Sequence, residues 1–312
     1  MFGQEAMEHK SLTTDPYEGT VFERLSIPKE ANFPVYTVPA QEIVREDEFT
    51  VGKNCFAIIR EPQSFEDGVP HVFKFASNRY KPLLNQDIMY VIRQAIIELE
   101  VDARGMKVQH FFSNDYSRWQ CNITFPKITI EPKVGDIIKY GLQINNSYDL
   151  TWMYEQFLRA FRLWCLNGCT TSESAGNGTH RKHTTNISVE GEGQKIANGL
   201  EAFFESEGEY QRWMNIHLTH TMVVELFKMT LAKYTVGGQV KTNKKVLDSL
   251  MVDWTRQAGN TMWQAYNVAT AWASHSQAQR GGWTPNTRRN RHEKVSTMLN
   301  SNIWKEFEHV SV

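Results

Sequence analysis

The sequence predicts an α+β fold: a mixed or antiparallel sheet with packed helices in the N-terminal part, followed by a helical C-terminal half. Two observations carry this. Apolar residues alternate with period two in several short runs up to about Ile144, then recur at helical spacing from Gln194 onward. A single amphipathic segment sits between the early strand pairs, which places helices on one face of a sheet built from hairpins.

Taken in order, residues 1–33 are polar, acidic and without periodicity, and read as a flexible acidic arm. Val35–Val38 lies between Pro34 and Pro39, as suits an edge strand. Thr50–Ile59 and His71–Phe75 form a hairpin across a turn at 61–68. Leu84–Leu99 carries Ile88, Val91, Ile92, Ala95, Ile96 and Leu99 on one helical stripe. Lys107–Phe112, Arg118–Ile130 and Gly135–Ile144 alternate as three further strands. After them, Asn145-Asn-Ser-Tyr-Asp149 is a run of turn-formers, and Met153, Phe157, Phe161 and Trp164 recur at helical spacing before Asn167-Gly168. This block predicts a buried helix that organises the chain. Residues 171–190 read as a mobile basic loop with no acid between Glu173 and Glu190. Helices are expected over 196–204, 210–218, 221–234, 243–257 and 261–277. An Arg-rich loop over 280–291 and a helix over 293–307 follow. The domain scheme is an arm (1–33), an α+β domain (34–170), a loop (171–190) and a helical region packed on the sheet (191–312).

The chain has 312 residues and a formal net charge of −1, so no global basic field marks it as a general polyanion binder. Charge is uneven, however. Residues 1–50 hold ten acids and four bases, whereas Trp254–His292 contains no acid and five arginines. Residues 1–10 are polar, and no run approaches the roughly 18 apolar residues of a membrane span. The four cysteines form no Cys-x-x-Cys pair. The expectation is a cytoplasmic protein with reduced thiols and no membrane contact.

Catalytic signatures are few. There is no G-x-S-x-G, no phosphate loop and no dinucleotide fingerprint. Glu131-Pro-Lys133 with Asp136 is a faint nuclease-like carboxylate set. Cys165, Cys169, His180 and His183 miss zinc-finger spacing, and Cys165 lies in an apolar run. No catalytic residue, metal or cofactor is assigned, and no enzyme activity is expected.

Cations instead gather in three patches. Arg79 and Lys81 flank Tyr80, where two cations beside one ring suit a phosphate and a stacked base. His180, Arg181 and Lys182 form the second patch, and Arg288, Arg289 and Arg291, near Trp283, the third. Arg162 sits on or beside the apolar face of the expected central helix. There it either snorkels to solvent or meets an anion. For every patch the plain alternative is a solvated surface, with Tyr80 in the core.

Three stretches together resemble the phage/plasmid-like protein family, a domain family of unknown function. They are Ser77-Asn-Arg-Tyr-Lys-Pro-Leu-Leu-Asn85; Asn146-Ser-Tyr-Asp149 with the following Phe161-Arg-Leu-Trp-Cys-Leu-Asn-Gly168; and Trp263-Gln-Ala-Tyr-Asn-Val-Ala-Thr270. The resemblance runs over roughly residues 34 to 307. It implies a role in mobile-element DNA metabolism or host interaction. Patches and resemblance together give the functional expectation: a homo-oligomeric single-stranded DNA-binding protein, with strand annealing in recombination or replication as its candidate role, acting in the host cytoplasm. The competing readings are a protein that binds a host factor through its acidic arm, and a metal-dependent nuclease.

Overall fold

The computed structural model describes residues 10–13, 23, 25–43, 52–60, 71–162, 168–169, 179–257, 259–275 and 285–309. The fold is α+β, as expected, with sheets in the N-terminal half and helices concentrated in the C-terminal half.

The large sheet is antiparallel. Its strands are β1 (Lys10–Thr13), β5 (Lys107–Phe112), β6 (Arg118–Ile130), β7 (Ile138–Ser147), β8 (Tyr154–Arg162), β9 (Gly168–Cys169) and β10 (Thr179–Arg181). They run in the order β1-β5-β6-β7-β8-β10, with β9 also paired to β8. A smaller antiparallel sheet joins β2 (Val35–Pro39), β3 (Cys55–Arg60) and β4 (His71–Ser77), with β3 central.

Alternation explains the faces. Along β6, Trp119, Cys121, Ile123 and Phe125 are buried, with half-buried residues between them. The β6–β7 register then shifts between Phe125 and Thr129, beside Pro126, which has no N–H for the ladder. β7 is buried along nearly its whole length, so its neighbours cover both of its faces. Helix α1 (Asn85–Glu98) buries Ile88, Ile92, Ala95 and Ile96 into the same core cluster as Ile123, Leu142 and Leu158. The expected stripe holds up to Ile96, whereas Leu99 lies beyond the helix and is exposed.

The expected central helix is a strand. In Tyr154–Arg162, the residues from Glu155 to Arg162 pair with β7 from Asn145 through Ile138. The helical spacing of Met153, Phe157 and Phe161 misleads because β8 carries apolar residues on both of its faces. Leu158 faces the helices, and Phe157 stands on the opposite row across from Gln143. The turn before it is held by side chains: Asp149 accepts from the Thr151 N–H at 3.0 Å, and Ser147 Oγ accepts from the Trp152 N–H at 3.0 Å. Trp164, Cys165 and Asn167 lie outside the described residues.

The described part of the expected flexible arm, residues 1–33, is built into the fold. Lys10–Thr13 pairs with β5, and Leu25, Ile27, Ala31 and Phe33 are buried. A Leu25 side chain taken from water into a core contributes about 2 kcal/mol, so this segment helps build the domain.

The helical half comprises α2 (Glu192–Asn215), α3 (His220–Met229), α4 (Lys244–Arg256), α5 (Met262–His275), α6 (Pro285–Leu299) and α7 (Asn302–His309). One continuous α2 replaces the two helices expected over 196–218. Gly199 lets α2 approach β8: a Cβ at this position would lie 1.8 Å from Leu158 Cδ1. An aromatic cluster locks α2 to α5 and α7, with Trp213 at 5.2 Å from Tyr266 and 5.0 Å from Trp304. Two expectations fail here. The helix expected over 221–234 stops at Met229, and Lys233–Val236 (β11) and Gln239–Thr242 (β12) form a hairpin around Gly237-Gly238. Arg288, Arg289 and Arg291 lie in α6 rather than in a loop, with Pro285 at the first helical position, where its fixed φ suits a helix.

Candidate functional site

Two of the motif stretches, about sixty residues apart, interlock at one end of the large sheet. The Asn146 side-chain amide donates to Leu83 O at 2.8 Å and to Asn85 Oδ1 at 2.7 Å. The Asn85 N–H donates to the Tyr148 hydroxyl at 3.1 Å, and the Tyr80 hydroxyl donates to Ser147 O at 3.3 Å. Arg118 Nε reaches Asp149 at 2.5 Å. Burial raises the Tyr80 and Tyr148 hydroxyls far above the usual phenol range, so both stay neutral hydrogen-bonding groups. Tyr148 also joins a second apolar cluster with Phe33, Val35 and Ile58, which attaches the small sheet to this corner.

The Arg79–Lys81 and His180–Lys182 patches meet here. The His183 ring lies 5.4 Å from the Tyr80 ring, tilted by 31°. Arg79, Lys81 and Lys182 are all exposed beside this contact. Burial lowers the His183 imidazole to about 4, against a weaker opposing pull from the Lys81 backbone. At neutral pH it is therefore an uncharged ring, and the charge of the cluster comes from the three exposed side chains.

The second patch does not act as a unit. Arg181 belongs to β10 and turns to Glu192 Oε1 at 3.1 Å; it also donates to Ser188 O. Glu192 is only 1% exposed and is held as well by Lys195 at 3.2 Å and by the Thr179 hydroxyl at 2.5 Å. Alternation along a strand separates neighbours. The register sets His180 opposite Glu155, and its side chain lies outside the described residues. Arg181 is thus a structural cation, and the mobile loop expected over 171–190 contains, in its described part, a strand fixed to α2.

The third patch stands elsewhere. Arg291 lies over the Trp272 ring at 5.2 Å and donates to Trp272 O at 3.2 Å, joining α6 to α5. Burial lowers its guanidinium pKa from the ordinary value. The side chains of Arg288 and Arg289 lie outside the described residues. The same is true of Arg162, whose backbone pairs with Ile138 in β8. Of the carboxylates, Glu131 accepts from the Gly135 N–H at 2.6 Å and so closes the β6–β7 turn. Among the described residues no group of three or more His, Cys, Asp and Glu side chains is placed to hold a metal ion.

The match to known families follows the same residues. A family model described as a domain of unknown function, DUF932, matches residues 72–304, from β4 into α7. The chain belongs to the DUF932 family. The interlocked corner and the aromatic core around Trp263 and Tyr266 both lie within the DUF932 span. No curated protein and no solved structure matches the chain. Among the described residues, no DUF932 helix is long and apolar enough to cross a membrane.

Sequence reasoning missed two features of this DUF932 chain. Phe75, near the end of β4, is 44% exposed, whereas Tyr80, the ring singled out from sequence, is half-buried against His183. The hairpin β11–β12 was hidden inside an expected helix.

Proposed function

We propose that this protein binds single-stranded DNA through the cluster at Tyr80 and His183, as a phage- or plasmid-borne protein acting in strand annealing during recombination or replication. The observation that carries the reading is the packing of the Tyr80 ring on the His183 ring, which brings together two chain segments whose neighbouring residues Arg79, Lys81 and Lys182 are all exposed. Three exposed cations track a phosphate backbone, and an exposed ring accepts a base whatever its identity. In this arrangement Phe75 is the stacking platform, because it is open where Tyr80 is covered. A net charge of −1 fits local capture of a flexible strand better than broad attraction to nucleic acid. Homo-oligomerisation would line up successive clusters along one strand. The resemblance to phage and plasmid proteins supports the mobile-element setting.

The test is fluorescence anisotropy with a labelled oligothymidylate across a salt series. Arg79→Gln, Lys81→Gln and Lys182→Gln should each flatten the slope of log affinity against log salt by about 0.7. Phe75→Ala should cost roughly 1–3 kcal/mol with the slope unchanged. If the folded triple variant binds like the parent, the reading fails, and capture of a host factor becomes the better account.

A further inference from the structure

The hairpin β11–β12 is built as an arm. Every residue of Lys233–Val236 and the first three of Gln239–Thr242 are exposed, on both faces and both edges. Gly237 and Gly238, at φ 59° and 78°, make the tight turn at its tip. A two-stranded ribbon is marginal in water by itself, so its base must hold it. Leu231 and Ala232 are buried, and the Asn243 N–H donates to Ala232 O at 2.8 Å. The Lys294 ammonium bridges Leu231 O at 2.9 Å and Lys233 O at 2.8 Å.

Two properties of the arm point to its ligand. Lys228, Lys233, Lys241, Lys244 and Lys245 are all exposed, and no acid occurs between Glu225 and Asp248. Lys244 and Lys245 occupy the first turn of α4, where the helix dipole disfavours cations, so helix stability does not explain them. The ribbon also carries exposed apolar side chains, Tyr234, Val236 and Val240, at 42%, 53% and 60%.

We infer that this hairpin is a second nucleic-acid site, one that enters the major groove of duplex DNA while the lysines at its base hold the flanking phosphates. The dimensions agree. Two strands about 4.8 Å apart and roughly 13 Å long fit a B-form major groove about 12 Å wide. The deep, narrow major groove of A-form RNA excludes such a ribbon. Tyr234 and Val236, which share one face of the ribbon with Gln239 and Lys241, meet base edges and thymine methyls there. The arm shares no residue with the Tyr80 cluster, and it would let one molecule hold a duplex as well as a single strand.

The experiment measures anisotropy of a labelled DNA duplex and of a single strand across a salt series. It uses the full chain and a Lys241→Gln/Lys244→Gln/Lys245→Gln variant whose melting is checked first. The parent should bind duplex, and the variant should lose about 0.9 of salt slope for each phosphate contact removed while keeping its single-strand affinity. Tyr234→Ser with Val236→Ser should weaken duplex binding at unchanged slope. A parent that ignores duplex, a triple variant that binds it unchanged, or loss of oligomerisation in place of loss of duplex binding overturns the inference; the last would assign the arm to a second copy of the chain. Failure of single-strand binding with duplex binding intact removes the Tyr80 reading and leaves this one standing.

Discussion

Asn146 and Asn85, on β7 and at the start of α1, share a side-chain hydrogen bond of 2.7 Å, and Asn146 is fully buried. This bond ties two distant motif stretches into one corner. Losing it leaves Leu83 O and Asn85 Oδ1 without their donor in a buried site, and each buried polar group stranded in this way costs about 1–3 kcal/mol. Asn146→Ala should therefore destabilise the fold by roughly 2–4 kcal/mol. In a double-mutant cycle with Asn85→Ala, measured by denaturant unfolding, the two losses should be clearly non-additive. Additive losses would show that the two side chains act separately.

Arg181 and Lys182 are neighbours in sequence with opposite roles. Arg181→Ala removes one of two cations from the buried Glu192, which keeps Lys195, so a loss of about 2 kcal/mol is expected. Lys182 is exposed, and its replacement by Ala should change stability by less than about 0.5 kcal/mol. Thermal unfolding of the two single variants separates these roles. Equal melting temperatures would contradict the structural assignment of Arg181.

Gly199 tests the contact between α2 and β8. Alanine favours an exposed helix by about 1 kcal/mol over glycine, yet its Cβ would meet the buried Leu158 side chain at 1.8 Å. Overpacking of this kind costs typically 1–3 kcal/mol, so Gly199→Ala should lower the melting temperature, and adding Leu158→Ala should recover part of the loss. A more stable Gly199→Ala protein would mean that the helix stands off the sheet.

Two buried histidines set an acid limit. Burial lowers the imidazoles of His110 and His183 to about 4 from an ordinary 6.5. The unfolded chain therefore binds more protons between these values, and stability must fall as pH drops through that window. By linkage each histidine accounts for about 3 kcal/mol between pH 7 and pH 4. His110 is the better probe, because its Nδ1 accepts from Trp119 Nε1 at 3.1 Å deep in the core. Unfolding free energies from pH 7 to pH 4 should show a shallower decline for His110→Gln than for the parent. Parallel curves would contradict the assignment.

Much of this architecture was legible in the chain. β5 and β6 have the limits that alternation predicts, because one face meets the core and the other does not. The stripe on α1 is legible for the same reason. β8 was not, since a strand covered on both faces carries no period-two signal and its aromatics can fall at helical spacing by chance. The β11–β12 hairpin was masked by neighbouring helical runs, although Gly237-Gly238 marked its turn.

Local order, in short, came from the sequence alone: which runs alternate, which carry a helical stripe, and where cations cluster along the chain. Only the tertiary structure decided which cations are free. Pairing of β10 with β8 turns Arg181 to a buried carboxylate, and packing of α6 on α5 lays Arg291 over Trp272. The Arg79–Lys81 turn meets Lys182 only because Tyr80 packs on His183, about a hundred residues away. Periodicity records whether a residue faces the core, but the partner it finds there depends on long-range contacts that no local spacing encodes.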